Sequence, residues 1–442
     1  MNFLGFLITL VCGLLLFRLP RRWALVPLLV GTTYLTQGQA VQIGPASFSV
    51  IRLLVLAGFI RVKSQGEHVA GGMRTLDRAM IGWAVCAVVT SLFHKEPGSQ
   101  IISMLGIAFD FLGLYFLMRV FIQSLEDLRQ ISKALLIMMV PLALEMAHEK
   151  ITGRNIFSVF GYVTEMATVR GGKIRAQGPF AHSILAGTVA AVCMPLAIFV
   201  WRESRLVALI GLAATGIMVL TSASSGPILT AAAIIGALGM WKFRSKLRLL
   251  LWGVVVMLVA LNFIMNDPVY FLLARIDLTG KSTGWHRAEL IDAAVKHLDE
   301  WWLAGTDYTR HWMPTGVYWT QNHTDITNHY LKMGVWGGLP LMMIFIYIMA
   351  TGFANVGKTL DLREDAPPDE RFYIWVLGGI LFGHAVSFVS ISYFDQTIVY
   401  FCLSLAAIGS VYSVTAAAAA RAVEAAPAAD PALTEEPCPS HV

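Results

Sequence analysis

Thirteen apolar segments of membrane-helix length follow one another along this 442-residue chain. They lie near residues 2–18, 23–36, 48–62, 79–94, 101–122, 130–147, 180–201, 206–222, 226–241, 248–266, 330–354, 372–392 and 396–414. A hydrocarbon core takes about 20 apolar residues per helical crossing. Backbone polar groups in lipid are satisfied only by helices or closed barrels. A barrel strand alternates polar and apolar residues, whereas these segments run apolar throughout. The expected fold is therefore an all-α polytopic membrane protein with about 12–13 transmembrane helices. The first four segments are short, so one or two of them are expected to be half-helices or a hairpin. Composition agrees. Charged residues make up 14% of the chain, against roughly 25% in a typical soluble domain. That shortage excludes a soluble globular enzyme and a disordered protein. Four of the five cysteines sit in apolar runs and the fifth in a Pro/Ala-rich tail, without metal-ligand spacing, which excludes a disulfide scaffold.

Basic residues set the orientation. Arg18/Arg21/Arg22, Arg61/Lys63/Arg74/Arg78, Arg119/Arg129/Lys133, Arg202/Arg205, Lys242/Arg244/Lys246/Arg248 and Lys358/Arg363/Arg371 fall in alternate loops. The intervening short loops are nearly free of Lys and Arg, so the basic side is read as cytoplasmic. Because arginines, and no small-residue cleavage site, follow the run Phe3–Phe17, it is expected to be a retained membrane helix. The expected organisation is a helix bundle over 1–266, a periplasmic loop with an amphipathic helix over 267–329, further membrane helices over 330–415, and a disordered cytoplasmic tail over 416–442. The long loop holds 5 of the 11 histidines and 5 of the 12 tryptophans, more than a linker needs. Within it, Trp285–Trp302 reads as the amphipathic helix, with Ala288, Ile291, Val295, Leu298 and Trp302 on the apolar face.

Three places carry residues suited to chemistry. The outer segment Arg170-Gly-Gly-Lys173-Ile-Arg175-Ala-Gln-Gly-Pro-Phe-Ala-His182 brings three cations together just before a membrane helix. Glycines let backbone approach a ligand, and a helix N-terminus adds partial positive charge, so the segment suits an anion. A solvated cationic loop is the plainer reading, but the positive-inside bias does not account for cations on this side. In the long loop, Lys281, Arg287 and Arg310-His311 follow. Arginine matches phosphate oxygens in a bidentate fork, although Arg287 could equally pair with Asp292 or Glu289 on its own helix. The loop then closes with Asn322-His323-Thr324-Asp325-Ile326-Thr327-Asn328-His329-Tyr330-Leu331 and Gly334, Gly337 and Gly338. A histidine here could act as a base near neutral pH with Asp325 orienting it, or could be an interfacial aromatic. Asp110, Glu145 and His384 are the main isolated ionisable residues inside membrane segments, with Glu145 and Arg52 near outer ends. Ser222, Ser224, Ser225 and Gly226 form a small-residue turn between two helices. No Walker motif, HExxH, GxSxG or aspartate-rich metal pair is present, so no cofactor, nucleotide or required metal is expected.

Taken in order, Arg175-Ala-Gln-Gly-Pro-Phe-Ala-His182, Thr221-Ser-Ala-Ser-Ser-Gly226, Gly284-Trp-His-Arg287 and Asn328-His-Tyr-Leu331 with Gly334 and Gly337-Gly338 resemble the O-antigen ligase and O-antigen polymerase superfamily of bacterial envelope glycosyltransferases. The resemblance covers about residues 150–350. It departs from the family's pattern twice: Ser225 stands near a place where members often carry arginine, and Thr327 stands where the family histidine precedes the asparagine. The resemblance implies a metal-independent transfer at the periplasmic face of the bacterial inner membrane. The donor would be an oligosaccharide on undecaprenyl pyrophosphate. The acceptor would be a lipid-linked glycan for a polymerase or lipid A–core for a ligase, with membrane lipids around the bundle and no nucleic acid partner. The serine turn and the Gly-Pro-Phe-Ala-His segment lean toward an exopolysaccharide polymerase. In that reading Arg175, Arg287, Lys173 and His182 bind the pyrophosphate, and His329, His323 and Asn328 are the catalytic candidates. A lipid-linked-oligosaccharide flippase is the reading from another class; it predicts buried charges, inverted repeats and no large external loop.

Overall fold

The computed structural model describes residues 1–44, 46–275, 284–317 and 320–425. Lys281, part of the tail and Cys438 lie outside the described residues. In chain order the helices are α1 (Phe3–Arg18), α2 (Arg21–Tyr34), α3 (Val50–Gln65), α4 (Thr75–Thr90), α5 (Pro97–Phe121), α6 (Leu125–Thr152), α7 (Ser183–Cys193), α8 (Leu196–Val200), α9 (Arg205–Thr221), α10 (Ser225–Gly239), α11 (Leu247–Ile264), α12 (Leu272–Arg275), α13 (Gly284–Lys296), α14 (Leu298–Trp301), α15 (His329–Leu362), α16 (Pro368–Phe388) and α17 (Thr397–Ala425). Three antiparallel hairpins interrupt them: β1 (Ala40–Ile43) with β2 (Ala46–Ser49), β3 (Thr168–Arg170) with β4 (Lys173–Arg175), and β5 (Gly316–Val317) with β6 (Thr320–Thr324).

Every one of the thirteen apolar segments is helical. Among the described residues, eight helices are long and apolar enough to cross a membrane. The chain is thus a mostly helical protein of polytopic membrane type. The eight fall short of the expected 12–13 for two reasons. One 40-residue span, Ser225–Ile264, joins two segments. The helices α1 and α9 are apolar but have only 16 and 17 residues, and α2 and α3 are similarly short. Residues 416–425, read from sequence as the start of the tail, continue α17 as helix.

The bundle's centre is α17 and the α7–α8 pair, whose apolar windows are mostly buried. Around them α6 packs on α9, α10 on α16, and α15 on α4, α16 and α17. By contrast, α11 buries none of its residues. Two buried or half-buried ion pairs cross between helices. Arg52 Nε lies 3.1 Å from Asp110 Oδ1, which gives that intramembrane acid its partner. Arg119 and Asp77, both almost fully buried, pair at 2.9 Å.

The helix α15 is broken. Gly337 and Gly338 leave the helical region, and Gly338 adopts φ +72°. The turn Leu303–Gly305 of the long loop enters this break. Leu339 N donates to Trp302 O at 2.7 Å, and Thr306 N donates to Val335 O at 2.9 Å. A Cβ on Gly338 would stand 2.4 Å from the Leu303 carbonyl carbon. Gly338→Ala is therefore expected to destabilise the docked loop by about 3 kcal/mol, from left-handed strain plus overlap. Limited proteolysis across 284–317 and thermal unfolding check this; unchanged protection would refute it.

The amphipathic helix of the long loop forms as α13 and α14, separated at His297. Its buried face differs from the expected one. Arg287, Ala288, Leu290, Ala294 and Trp301 are buried, while Val295, Leu298 and Trp302 are exposed. Small residues allow the close approach, and Trp301 packs over Gly334 of α15. Large apolar side chains alone misplace the face.

Candidate functional site: an unpaired arginine cluster and a cavity linked to it

The β3–β4 hairpin assembles the first part of the site. Gly171 and Gly172 occupy its two-residue turn with φ +60° and +76°, as a type I′ turn requires. These glycines serve the turn and do not form a flexible ligand loop. The register pairs Arg170 with Lys173 and Thr168 with Arg175. Cross-strand partners and alternate residues share a face, so Arg170, Lys173 and Arg175 project from the same side of the ribbon.

The chain beyond β4 is clamped from three directions. The Glu149 carboxylate accepts from Gln177 N and Gly178 N, each at 2.9 Å. Asn155 Nδ2 donates to Gly178 O, and Ala176 N donates to Thr221 O at the serine turn. Asp395 Oδ2 accepts from Ala181 N at 3.0 Å, and Gln396 Nε2 donates to Pro179 O at 2.9 Å. Arg175 Nη2 then donates to Ser224 Oγ at 2.6 Å. In that serine turn Ala223 holds φ +46°, a left-handed conformation that a non-glycine residue keeps only when its surroundings enforce it. Gly187 of α7 makes room for the turn, since a Cβ there would meet Ser222 Oγ at 2.7 Å.

Arg287, on α13, donates from Nε to Ser390 O at 3.1 Å. Asp292, its possible partner on the same helix, instead binds Lys296 and Tyr270. Among the described residues Arg170, Arg175 and Arg287 have no ion-pair partner. Arg175 and Arg287 are nonetheless buried, and Arg175 Nε has no hydrogen-bond partner. Burial, then the charge of Arg170, holds Arg175 down to about 10 and Arg287 below its ordinary value. Both remain cationic at neutral pH. Arg175 is held at the serine turn by Ser224 and Arg287 at Ser390, and a Cβ on Gly226 of that same turn would stand 3.4 Å from Ser390 Oγ, so the anchors of the two arginines are neighbours; the charge of Arg170 acts on Arg175, Arg287 and His182 alike.

His182 caps α7, with Nδ1 accepting from Ile184 N at 3.1 Å. Burial, then Arg175 and Arg170, pushes its pKa down to about 4. At neutral pH its proton sits on Nε2, and it serves as an uncharged donor beside the cations. Between about pH 6.5 and 4 the unfolded chain binds a proton at this residue that the folded chain does not, so stability falls as pH drops through that window. Histidine-selective NMR is expected to show His182 flat from pH 8 to 5. A midpoint near 6.5 would contradict the burial and charge argument.

The second part of the site is a cavity of about 360 Å³ lined by Arg52, Trp83, Asp110, His329, Lys332 and Asp395, among others. The segment 389–396, between α16 and α17, connects it to the cations. Ser390 O receives Arg287, Tyr393 N donates to His329 Nδ1 at 3.1 Å, Tyr393 O accepts from Lys332 Nζ at 3.0 Å, and Asp395 holds Ala181. With Nδ1 occupied as an acceptor, neutral His329 carries its proton on Nε2 and presents a donor. Asn328 caps α15, its Oδ1 accepting from Leu331 N at 3.1 Å. His323 sits elsewhere, on β6, with Nδ1 3.4 Å from Thr309 Oγ1. His384 is fully buried and satisfied by Tyr393 OH and Ser404 Oγ.

The structure thus brings Arg175, Arg287 and His182 into one electrostatic neighbourhood, with Lys173 on the same hairpin face. It links His329 to them through 389–396 and leaves His323 apart. The sequence reading passed over Lys332, Asp395 and the crossover itself. A lysine inside the apolar stretch 330–354 was the available signal for the first, and an acid in Tyr393-Phe-Asp395-Gln for the second. The arrangement can bind a multivalent anion. No protein-family model matches the chain, and no curated protein matches it.

Proposed function

We propose that the chain transfers a glycan from undecaprenyl pyrophosphate to a sugar hydroxyl at the periplasmic face of the bacterial inner membrane, with polymerisation of surface-polysaccharide repeats as the preferred form. The observation that carries this reading is the burial of Arg175 and Arg287, one anchored at Ser224 and the other at Ser390, with no ion-pair partner among the described residues. Buried cations ordinarily pair, so a set left unpaired calls for an anion from outside the chain. A pyrophosphate leaving group develops charge as its bond to the sugar breaks. Preorganised arginines stabilise that charge without a metal. His182 adds an uncharged donor. His329, as oriented here, supplies a donor in the cavity, not a lone pair. The acceptor hydroxyl attacks the anomeric carbon, the carbon–oxygen bond to pyrophosphate breaks, and the hydroxyl proton leaves to solvent or to the departing phosphate.

A second reading rests on the cavity. The Arg52–Asp110 pair, whose members the sequence already marked, shares this cavity with Lys332, a further charge among the helices. A carrier moving a lipid-linked glycan across the bilayer would use such a cavity. One reconstitution separates the readings. Purified chain in liposomes receives a defined undecaprenyl-pyrophosphate oligosaccharide, with and without lipid A–core. A ladder of lengthening glycans means polymerase, and a single product on lipid A–core means ligase. Donor that crosses the bilayer unchanged refutes transfer and leaves the carrier.

A further inference from the structure

The long loop carries a second cluster that shares no residue with the arginine site. His297 lies between α13 and α14, Glu300 lies on α14, and His311 lies in the turn that precedes β5. His297 Nδ1 and His311 Nε2 each stand 2.8 Å from the same oxygen, Glu300 Oε1. The three candidate ligand atoms all lie within 4.8 Å of one another. The other carboxylate oxygen, Oε2, accepts from Trp312 Nε1 at 3.0 Å. Both imidazoles are held by aromatic faces: Tyr308 stacks on His311 with ring centroids 5.0 Å apart, and Trp312 stacks on His297 at 6.0 Å.

We infer that His297, Glu300 and His311 form a binding site for one divalent transition-metal ion of the zinc, copper or nickel class. Two imidazoles and a carboxylate converging on one point are the donor set such ions prefer, and hard ions such as magnesium are poorly served by it. An ion seated among the three would take a lone pair from each ring nitrogen in place of the present contacts to the carboxylate. Each side chain is about one third exposed, so water completes the coordination shell. The Trp312 bond orients the carboxylate, as outer hydrogen bonds do at metal sites. The ion would fasten the α13–α14 arm to the 308–312 turn, on either side of the Leu303–Gly305 segment that enters the break in α15. The site is a clasp on the loop and is independent of what the arginine cluster binds.

The test uses the full chain in detergent, free of any histidine tag and stripped with chelator. Titration with Co²⁺ alone is expected to give one ion per chain and visible d–d bands, which Zn²⁺ displaces. His311→Ala and His297→Ala are each expected to weaken binding at least about 100-fold, and Trp312→Phe about 10-fold while leaving the ligands in place. X-ray absorption of the Zn²⁺ form is expected to show two imidazoles and only nitrogen and oxygen neighbours. That measurement on the unaltered chain stands even if a variant fails to fold. Absence of stoichiometric binding, binding untouched by both histidine variants, or a spectrum without imidazole overturns the inference.

Discussion

Arg287→Ala is expected to lower glycan transfer by at least about 100-fold in reconstituted membranes, the magnitude seen when one preorganised electrostatic group is removed from a reacting centre. Among the described residues Arg287 spends only its Nε on the protein, at Ser390 O. The rest of its planar fork remains for a ligand. Its burial means that the empty place would not be filled by a mobile neighbouring cation. Arg287→Lys keeps the charge but loses the bidentate geometry, so an intermediate rate is expected. Arg175→Ala should act similarly. The double variant should lose far less than the product of the single losses, because both residues act on one charge. Product ladders quantify the rate, and thermal unfolding confirms that the fold persists. Full activity in Arg287→Ala with an intact fold would remove the arginine site from the mechanism.

Arg119→Ala is expected to cost about 3–5 kcal/mol of stability, the range for breaking one side of a buried ion pair. The guanidinium does more than meet Asp77. It also donates to Ala70 O, Gly72 O, Ser410 Oγ and Ser413 Oγ at 3.0–3.1 Å, tying the α3–α4 connection and α17 to α5. Without it Asp77 keeps the Tyr115 hydroxyl and Arg74 N but loses its countercharge. Replacing Asp77 by Asn in the Arg119→Ala background should recover part of the loss, because the uncompensated charge is gone. Denaturant or thermal unfolding in a fixed detergent measures both. A double variant less stable than Arg119→Ala would show that the lost hydrogen bonds, and not the stranded charge, set the cost.

The helices were legible because an apolar run in lipid has few choices of backbone, and each of the thirteen segments became helical, one of them as the α7–α8 pair. Their pairing was not legible. Arg52 and Asp110 lie 58 residues apart, and nothing local to either marks the other. The Gly171-Gly172 pair was visible, but two adjacent glycines fit a loose loop as well as a tight turn; the strand register on either side decides between them. The face of α13 was misread because alanine buries as well as leucine where helices come close. The segment 389–396 carries no motif. Apart from the Asp395 and Gln396 side chains, its hydrogen bonds to the site come from backbone carbonyls and amides, which every sequence possesses and no sequence displays. For the same reason the histidines could be located but not given a protonation geometry. That depends on which ring nitrogen meets a backbone N–H.

The break in α15 also constrains how the protein can be built. Between Val335 and Leu339 the helix gives up its own ladder, and Thr306 N, Trp302 O and the ring of His94 replace it from outside, His94 Nε2 lying 3.1 Å from Trp336 O. A backbone group left unsatisfied in hydrocarbon costs several kcal/mol. During synthesis, the first turns of α15 therefore cannot settle on their own merits as they leave the translocation machinery. They wait for a loop made earlier and for a histidine made earlier still. Assembly order is written into that short stretch of backbone: the α4–α5 connection and the loop must be in place before the last three helices can close the bundle.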